Sequence, residues 1–285
     1  MDPIQCRNVS SLATEVVMAA GDRLLEYFGQ VDGVPKGDAD LLTRADIVVE
    51  RLILEELHRR FPDDQVIAEE STGLGTDSIE ERCWVIDPLD GTVNFAMGIP
   101  FFSVSLALLQ DGEPVLGWVY DPVREELFQA HLGTGSFVNG RNLAASAGSS
   151  RPIPVGGSSG FLDQGSIGGP SSPVVSMISR FGKMRILGSQ ALQLCYVAAG
   201  RLLANVSWES RLWDDAAGAL IAREAGCCYS DFWGRHVFPL QAGSQALAGE
   251  PIHSIAACPS VHREMLAMLA GIPMGDGGEP GEIRQ

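Results

Sequence analysis

The 285-residue sequence predicts a layered α/β fold, and three observations carry that reading. Two amphipathic helical stripes open the chain, strand-like alternation joined by tight turns follows, and the second half alternates helix with strand. A stretch rich in Ser, Gly and Pro, from about Ala144 to Pro173, marks the expected boundary between subdomains at 1–145 and 146–271. The end of the chain, 272–285, has too little apolar surface to bury and is expected to fray.

The first helix is predicted from Val9, Leu12, Ala13, Val16, Val17, Ala20, Leu24, Tyr27 and Phe28, which recur at three and four and stop near Gly29. VDGVPKGDAD then reads as a polar loop. Thr43 followed by Asp46 has the spacing of a capping box, and Ala45, Val48, Val49, Leu52, Ile53 and Leu57 form a second stripe ended by Phe61-Pro62. Gln65 to Ala68 and Cys83 to Ile86 are short apolar runs expected as strands, each followed at once by acidic residues. From Phe101 the alternation of FFSVSLALLQ, EPVLGWVY and ELFQA, punctuated by Asp111-Gly112, Asp121-Pro122 and Asn139-Gly140, predicts an antiparallel meander. Helices are expected at Pro173 to Phe181, Ser189 to Ala199, Asp214 to Ala225 and Pro259 to Leu269.

Charge and composition narrow the function. With 20 Lys+Arg against 36 Asp+Glu the formal charge is −16, which opposes counterion-release binding to nucleic acid and contact with an anionic lipid surface. The longest apolar stretch, near Phe101 to Leu109, is far short of the roughly 20 residues a membrane span needs. The start of the chain lacks a basic segment leading into an apolar core, and the expected location is the cytoplasm. Six scattered cysteines without a Cys-x-x-Cys, and five isolated histidines, speak against a zinc site.

The chemistry sits in acidic residues that follow short apolar segments: Glu69 and Glu70, Asp87 and Asp90, Asp214 and Asp215, with Asp40 and Asp46 earlier. Asp214, Asp215 or Asp46 alone would equally complement a helix dipole. The segment WVIDPLDGTVNF is more specific. Pro88 fixes the backbone after Asp87 and Gly91 permits a tight turn, so Asp87, Asp90 and the Leu89 carbonyl can converge as three oxygen ligands. Thr92 then opens a helix whose first amides, with that of Gly91, suit a phosphate. Two like charges about 4 Å apart repel by about 4 kcal/mol at an effective dielectric of about 20, so several converging carboxylates require a cation. A donor set of hard oxygens favours Mg²⁺, with Mn²⁺ as a substitute.

WVIDPLDGTVNF, with IAEES upstream and WDDAAGALIAREAG downstream, resembles the inositol monophosphatase family of Mg²⁺-dependent, lithium-sensitive phosphatases, and the likeness runs from about residue 10 to 270. PKGDADLLTRAD also resembles the family's early loop. The resemblance implies an αβαβα sandwich with the active site between its halves. It implies that Glu69, Asp87 and the Leu89 carbonyl hold one metal, that Asp87, Asp90 and Asp214 hold a second with Asp87 bridging, and that a third ion sits loosely near Glu69. Glu69 and Thr92 would orient the attacking water, Gly91 and Thr92 would seat the phosphate, and Lys36, Asp46 and Glu70 would support the site from behind. Gly188, Ser189, Gln190 and Glu209 fall where the family contacts the leaving group. Family members that use inositol carry a glutamate seven residues before the Trp-Asp aspartate, whereas Glu209 stands five before Asp214. A homodimer is the implied assembly, and a small phosphorylated molecule the implied partner.

The expected activity is therefore hydrolysis of a phosphate monoester of a small polyol, inositol monophosphate or a related cyclitol or sugar phosphate. Histidinol phosphate, a 3′(2′),5′-bisphosphate nucleotide and fructose 1,6-bisphosphate are the alternative substrates within the same fold. A regulatory binding protein on a phosphatase fold is the alternative of another class. Gly156-Gly157-Ser158-Ser159-Gly160 also fits the G-x-S-x-G elbow of serine esterases, but FLDQGSIGGP after it is a poor helix. Trp84, Phe95, Phe101, Phe102 and Trp118 have no interleaved basic residues and read as core.

Overall fold

In a computed structural model, residues 3–30, 34–35, 41–72, 78–145, 153–159 and 173–270 are described. The chain opens with α1 (Pro3–Tyr27), a small ribbon of β1 (Val34–Pro35) and β2 (Leu41–Leu42), and α2 (Arg44–Arg60). Next come β3 (Gln65–Ala68), α3 (Glu69–Thr72), β4 (Arg82–Asp90) and α4 (Thr92–Ala96). The meander is β5 (Ser103–Gln110), β6 (Glu113–Asp121), β7 (Glu126–His131), β8 (Gly135–Val138) and β9 (Arg141–Asn142). The second half holds β10 (Val155–Gly157), α5 (Pro173–Phe181), β11 (Met184–Arg185), α6 (Gln190–Ala198), β12 (Ala204–Ser210), α7 (Leu212–Glu224), β13 (Cys228–Asp231), β14 (Ile252–Ala257) and α8 (Pro259–Leu269).

Strands β3 to β9 form a seven-stranded sheet in sequence order, parallel only between β3 and β4. The second sheet runs β11-β10-β12-β14-β13, with β10 parallel to both of its neighbours and the remaining pairs antiparallel. Helices α1 and α2 cover one face of the large sheet, α6 and α7 fill the space between the sheets, and α5 and α8 cover the far face of the small one. The order is helix, sheet, helix, sheet, helix. This is the expected αβαβα sandwich.

Strand alternation divides the core. Along β4, Trp84 and Ile86 join Val49, Ile53 and Leu57 of α2, while Cys83 and Val85 face Trp213, Ala217 and Leu220 of α7. A strand packed on both sides must be apolar throughout, which is why CWVI shows no alternation in sequence. Gly117 on β6 lets α7 approach closely, since a Cβ there would lie 3.2 Å from the Cα of Ala217. The capping box at the start of α2 is present, with Thr43 and Asp46 exchanging hydrogen bonds. Trp84, Phe95, Phe101, Phe102 and Trp118 are all buried. Helix α7 begins at Leu212, two residues before the expected start at Asp214, because the chain turns helical directly after Arg211 and Asp214 sits inside the first turn, where it accepts the Arg211 amide. The expected frayed end and most of the Ser/Gly/Pro-rich stretch lie outside the described residues.

Candidate active site

The turn after β4 positions the first carboxylates. Asp87 continues the side of β4 that carries Cys83 and Val85, so it points toward the α6–α7 layer. The pairing with β5 slips between Asp87 and Asp90, at Pro88-Leu89, and this bulge lets both aspartates serve one site. Asp87 Oδ1 accepts the amide of Leu89 at 2.9 Å. Gly91 then takes φ of +101°, which an L side chain rarely adopts, and a Cβ there would stand 2.9 Å from the Gly188 carbonyl. Helix α4 follows for a single short turn, anchored by Phe95, which meets Phe102 edge-on at 4.9 Å and Phe28 at 5.6 Å.

Asp90 is gripped by the start of α6. Its carboxylate accepts the amides of Gln190 and Ala191, each at 2.9 Å, together with the hydroxyls of Ser189 and Ser103. Asp214 arrives from the other half, in the first turn of α7, where it accepts the amide of Arg211 at 2.7 Å. Ligand oxygens of Asp87, Asp90 and Asp214 all lie within 4.8 Å of one another. Burial first, and then the charges of Glu69, Asp90 and Asp214, hold the Asp87 carboxyl well above the ordinary aspartate value of 3.8. Asp214 is likewise well above it through burial, then Asp90 and Glu69, and burial raises Asp90 despite its four donors. Buried like charges this close need positive charge among them, and the all-oxygen donor set fits a metal ion.

The inositol monophosphatase family model matches residues 5–267. The chain belongs to the inositol monophosphatase family. It is, with that family, a phosphoric monoester hydrolase. It is 38% identical to the fructose-1,6-bisphosphatase/inositol-1-monophosphatase of Thermotoga maritima, over 78% of this chain and 84% of the relative. It is 36% identical to the Nus factor SuhB of Pasteurella multocida, over 90% of this chain and 93% of the relative. Among solved structures, the extragenic suppressor protein suhB of Bartonella henselae superposes with a TM-score of 0.78 at 30% identity, covering 93% of this chain and 100% of that one.

The other residues named for the family's site lie around this cluster or apart from it. Thr92 is buried, and its hydroxyl lies 3.1 Å from Asp46 Oδ1 and 3.0 Å from the Leu89 carbonyl oxygen, to which it donates. Glu69 opens α3 at the end of β3 and acts electrostatically on Asp87 and Asp214, while the Glu70 amide donates to Glu50 of α2 at 2.9 Å. Gly188, Ser189 and Gln190 precede or open α6, and the hydrogen bonds of Ser189 and Gln190 reach Asp90 and Asp215. Glu209 is exposed at the end of β12 and accepts from Ser159 at 2.8 Å. Lys36 and Asp40 lie outside the described residues. In the esterase-like segment, the Ser158 hydroxyl accepts the Trp208 amide at 2.9 Å and so joins β10 to β12.

Sequence reasoning missed three supports of the site. Ser103 reaches Asp90, its register partner across β4 and β5, which the meander spacing could have suggested. The Asn94 side chain donates to the Phe101 and Leu187 carbonyls, each at 2.7 Å, binding α4 to the approach to α6. Glu50 stands one turn after Asp46 on α2, so one helix face holds both Thr92 and the Glu70 amide.

Proposed function

We propose that this protein hydrolyses the phosphate monoester of a small polyol, inositol monophosphate or a related cyclitol or sugar phosphate, with Mg²⁺ as its cofactor and water as the nucleophile. The observation that carries the reading is the convergence of Asp87, Asp90 and Asp214 from the two halves of the chain. Glu69, Asp87 and the Leu89 carbonyl would hold one ion, and Asp87, Asp90 and Asp214 a second, with Mn²⁺ able to replace Mg²⁺. When bound, such ions offset the carboxylate charge, acidify water and stabilise a departing oxygen.

The protein's own groups do the rest. Thr92 Oγ1 gives its proton toward Asp46 and Leu89, which leaves its lone pairs to accept a hydrogen bond from water. With Glu69, it would orient that water for in-line attack on phosphorus: a new P–O bond forms as the water gives up a proton, the ester P–O bond breaks, and the departing alkoxide takes up a proton in turn, so that ester and water yield phosphate and alcohol. The amides of Gly91 and Thr92 seat the phosphate. Since α4 spans only five residues, the amides themselves matter here and the helix dipole adds little. Gly188, Ser189, Gln190 and Glu209 would line the leaving-group side and Glu70 would support the metal side, with Lys36 assigned there by the family resemblance alone.

The test is phosphate release with Mg²⁺ from a panel of inositol monophosphates, sugar phosphates, fructose 1,6-bisphosphate, histidinol phosphate and 2′- and 3′-nucleotides. Release fastest from the cyclitol or sugar monoesters, and inhibited by lithium, is expected. Preference for a bisphosphate or histidinol phosphate would reassign the substrate, and no release from any would favour a regulatory binding protein instead, a relative of this chain being named a Nus factor. The same reading takes the protein as a cytoplasmic homodimer, which light scattering after size exclusion checks.

A further inference from the structure

Asp215 follows a site carboxylate in sequence but points elsewhere. It is fully buried and takes no hydrogen bond from the amides of its own helix turn, so it does not act as a cap. Its Oδ1 accepts the Gln190 side-chain amide at 2.7 Å, and its Oδ2 accepts the Tyr229 hydroxyl at 2.7 Å and the Ser210 hydroxyl at 2.8 Å. The carboxylate of α7 is thereby tied to α6, β13 and β12 at once.

The link to α6 reaches the site. Gln190 is held at both ends of its side chain, by Asp215 and by Asn205, whose amide donates to Gln190 Oε1 at 2.9 Å. The backbone amide of the same Gln190 donates to Asp90 Oδ1. One path therefore runs from Asp90 through Gln190 to Asp215, and one peptide unit further lies Asp214. Asp90 and Asp214 come from opposite halves of the chain, and their ligand oxygens must stay within a few ångströms of each other to share an ion.

We infer that Asp215 is a positioning residue for the metal centre, a buried anionic pin that sets α6 against α7 and so fixes the spacing of Asp90 and Asp214. This rests on the metal-dependent reading above. A buried charge supplied only with neutral donors is a costly way to hold two helices, and an apolar contact would pack them equally well. What the carboxylate adds is direction: two acceptor oxygens fix the Gln190 side chain and hence the turn that grips Asp90.

The experiment is calorimetric titration of the full-length protein with Mg²⁺ alone. Asp215→Asn keeps the size and one acceptor and is expected to stay folded while binding Mg²⁺ roughly tenfold more weakly, with Asp215→Ala weaker still, within the ten- to hundredfold range typical of groups that support metal ligands. Tyr229→Phe removes a donor to Oδ2 without touching Gln190, so it is expected to lower Tm with Mg²⁺ affinity kept. Unchanged affinity in both Asp215 variants overturns the inference and leaves the metal centre standing. A loss in Tyr229→Phe equal to that in Asp215→Asn also overturns it, since general loosening would then suffice. Failure of the unaltered protein to bind Mg²⁺ would overturn the metal reading itself, and this inference with it.

Discussion

Asp87 is the residue where electrostatics and chemistry conflict most. It is buried beside Glu69, Asp90 and Asp214, and its carboxyl titrates well above the aspartate norm of 3.8 for that reason. A folded-state value raised above the unfolded one means stability fully present below about 3.8 and lost as pH rises through the folded value. Divalent cations oppose that loss, so the rise in Tm produced by Mg²⁺ is expected to grow from mildly acidic to mildly alkaline pH. A rise independent of pH in calorimetric scans would contradict this. Asp87→Asn is expected to stabilise the metal-free protein, on the order of 1 kcal/mol or more, while abolishing phosphate release. Thr92→Ala should lower kcat by roughly 10²- to 10⁴-fold with Mg²⁺ affinity retained, the mark of a group that handles the water proton rather than the metal. Local residues of this kind were legible in sequence, because DPLDGT brings Asp87, Asp90 and Thr92 together within one turn. The bond from Thr92 to Asp46 was not, since the capping box explains Asp46 by itself and its second acceptor role spans 46 positions of sequence. Asp215 was hidden the same way, behind an ordinary helix-dipole explanation.

At the scale of elements, the site depends on the turn between β4 and α4 lying against the approach to α6. Gly91 allows it: any Cβ would combine an unfavourable φ with contact on the Gly188 carbonyl and, at 3.1 Å, on that of Phe101. Gly188, with φ of +80°, is closed in by Asn94 in turn, its Cβ position lying 2.7 Å from Nδ2. Gly91→Ala is therefore expected to cost roughly 1–3 kcal/mol and to weaken Mg²⁺ binding, because relief of the clash moves the α6 turn off Asp90. A denaturant midpoint and metal affinity equal to those of the unaltered protein would refute the packing argument. Periodicity found the longer helices and the meander but not the one-turn α3, while α8 and the apolar run of β3 were expected at their observed limits. It could not order the small sheet, where β12 sits between β10 and β14, since that arrangement is set by contacts far apart in sequence.

Over the whole molecule, one helical layer serves two sheets. Trp213, Ala217 and Leu220 of α7 share a continuous core with Val85 and Ala107 of the large sheet and Tyr229 and Ala256 of the small one. The two sheets are thus joined by apolar packing through α7, and the proposed metal centre would add a second link through Asp90 and Asp214. We expect a single calorimetric unfolding transition that moves upward as a unit with Mg²⁺. Two transitions, only one of them moved by the metal, would show that the ions do not bridge the halves. Among the described residues no helix is long and apolar enough to cross a membrane. A layered α/β fold could be anticipated from element order, but the count of five layers and the meeting of Asp87 with Asp214, 127 positions later, were visible only through resemblance to the family.

The measurement that bears most directly on the central claim is phosphate release from an inositol monophosphate by the unaltered protein and by Asp214→Asn, each with Mg²⁺ and again after chelation. Turnover by the unaltered protein alone, lost on chelation and restored by Mg²⁺, is the expected result. Equal turnover by Asp214→Asn, or turnover that survives chelation, would contradict a metal centre built from both halves of the chain.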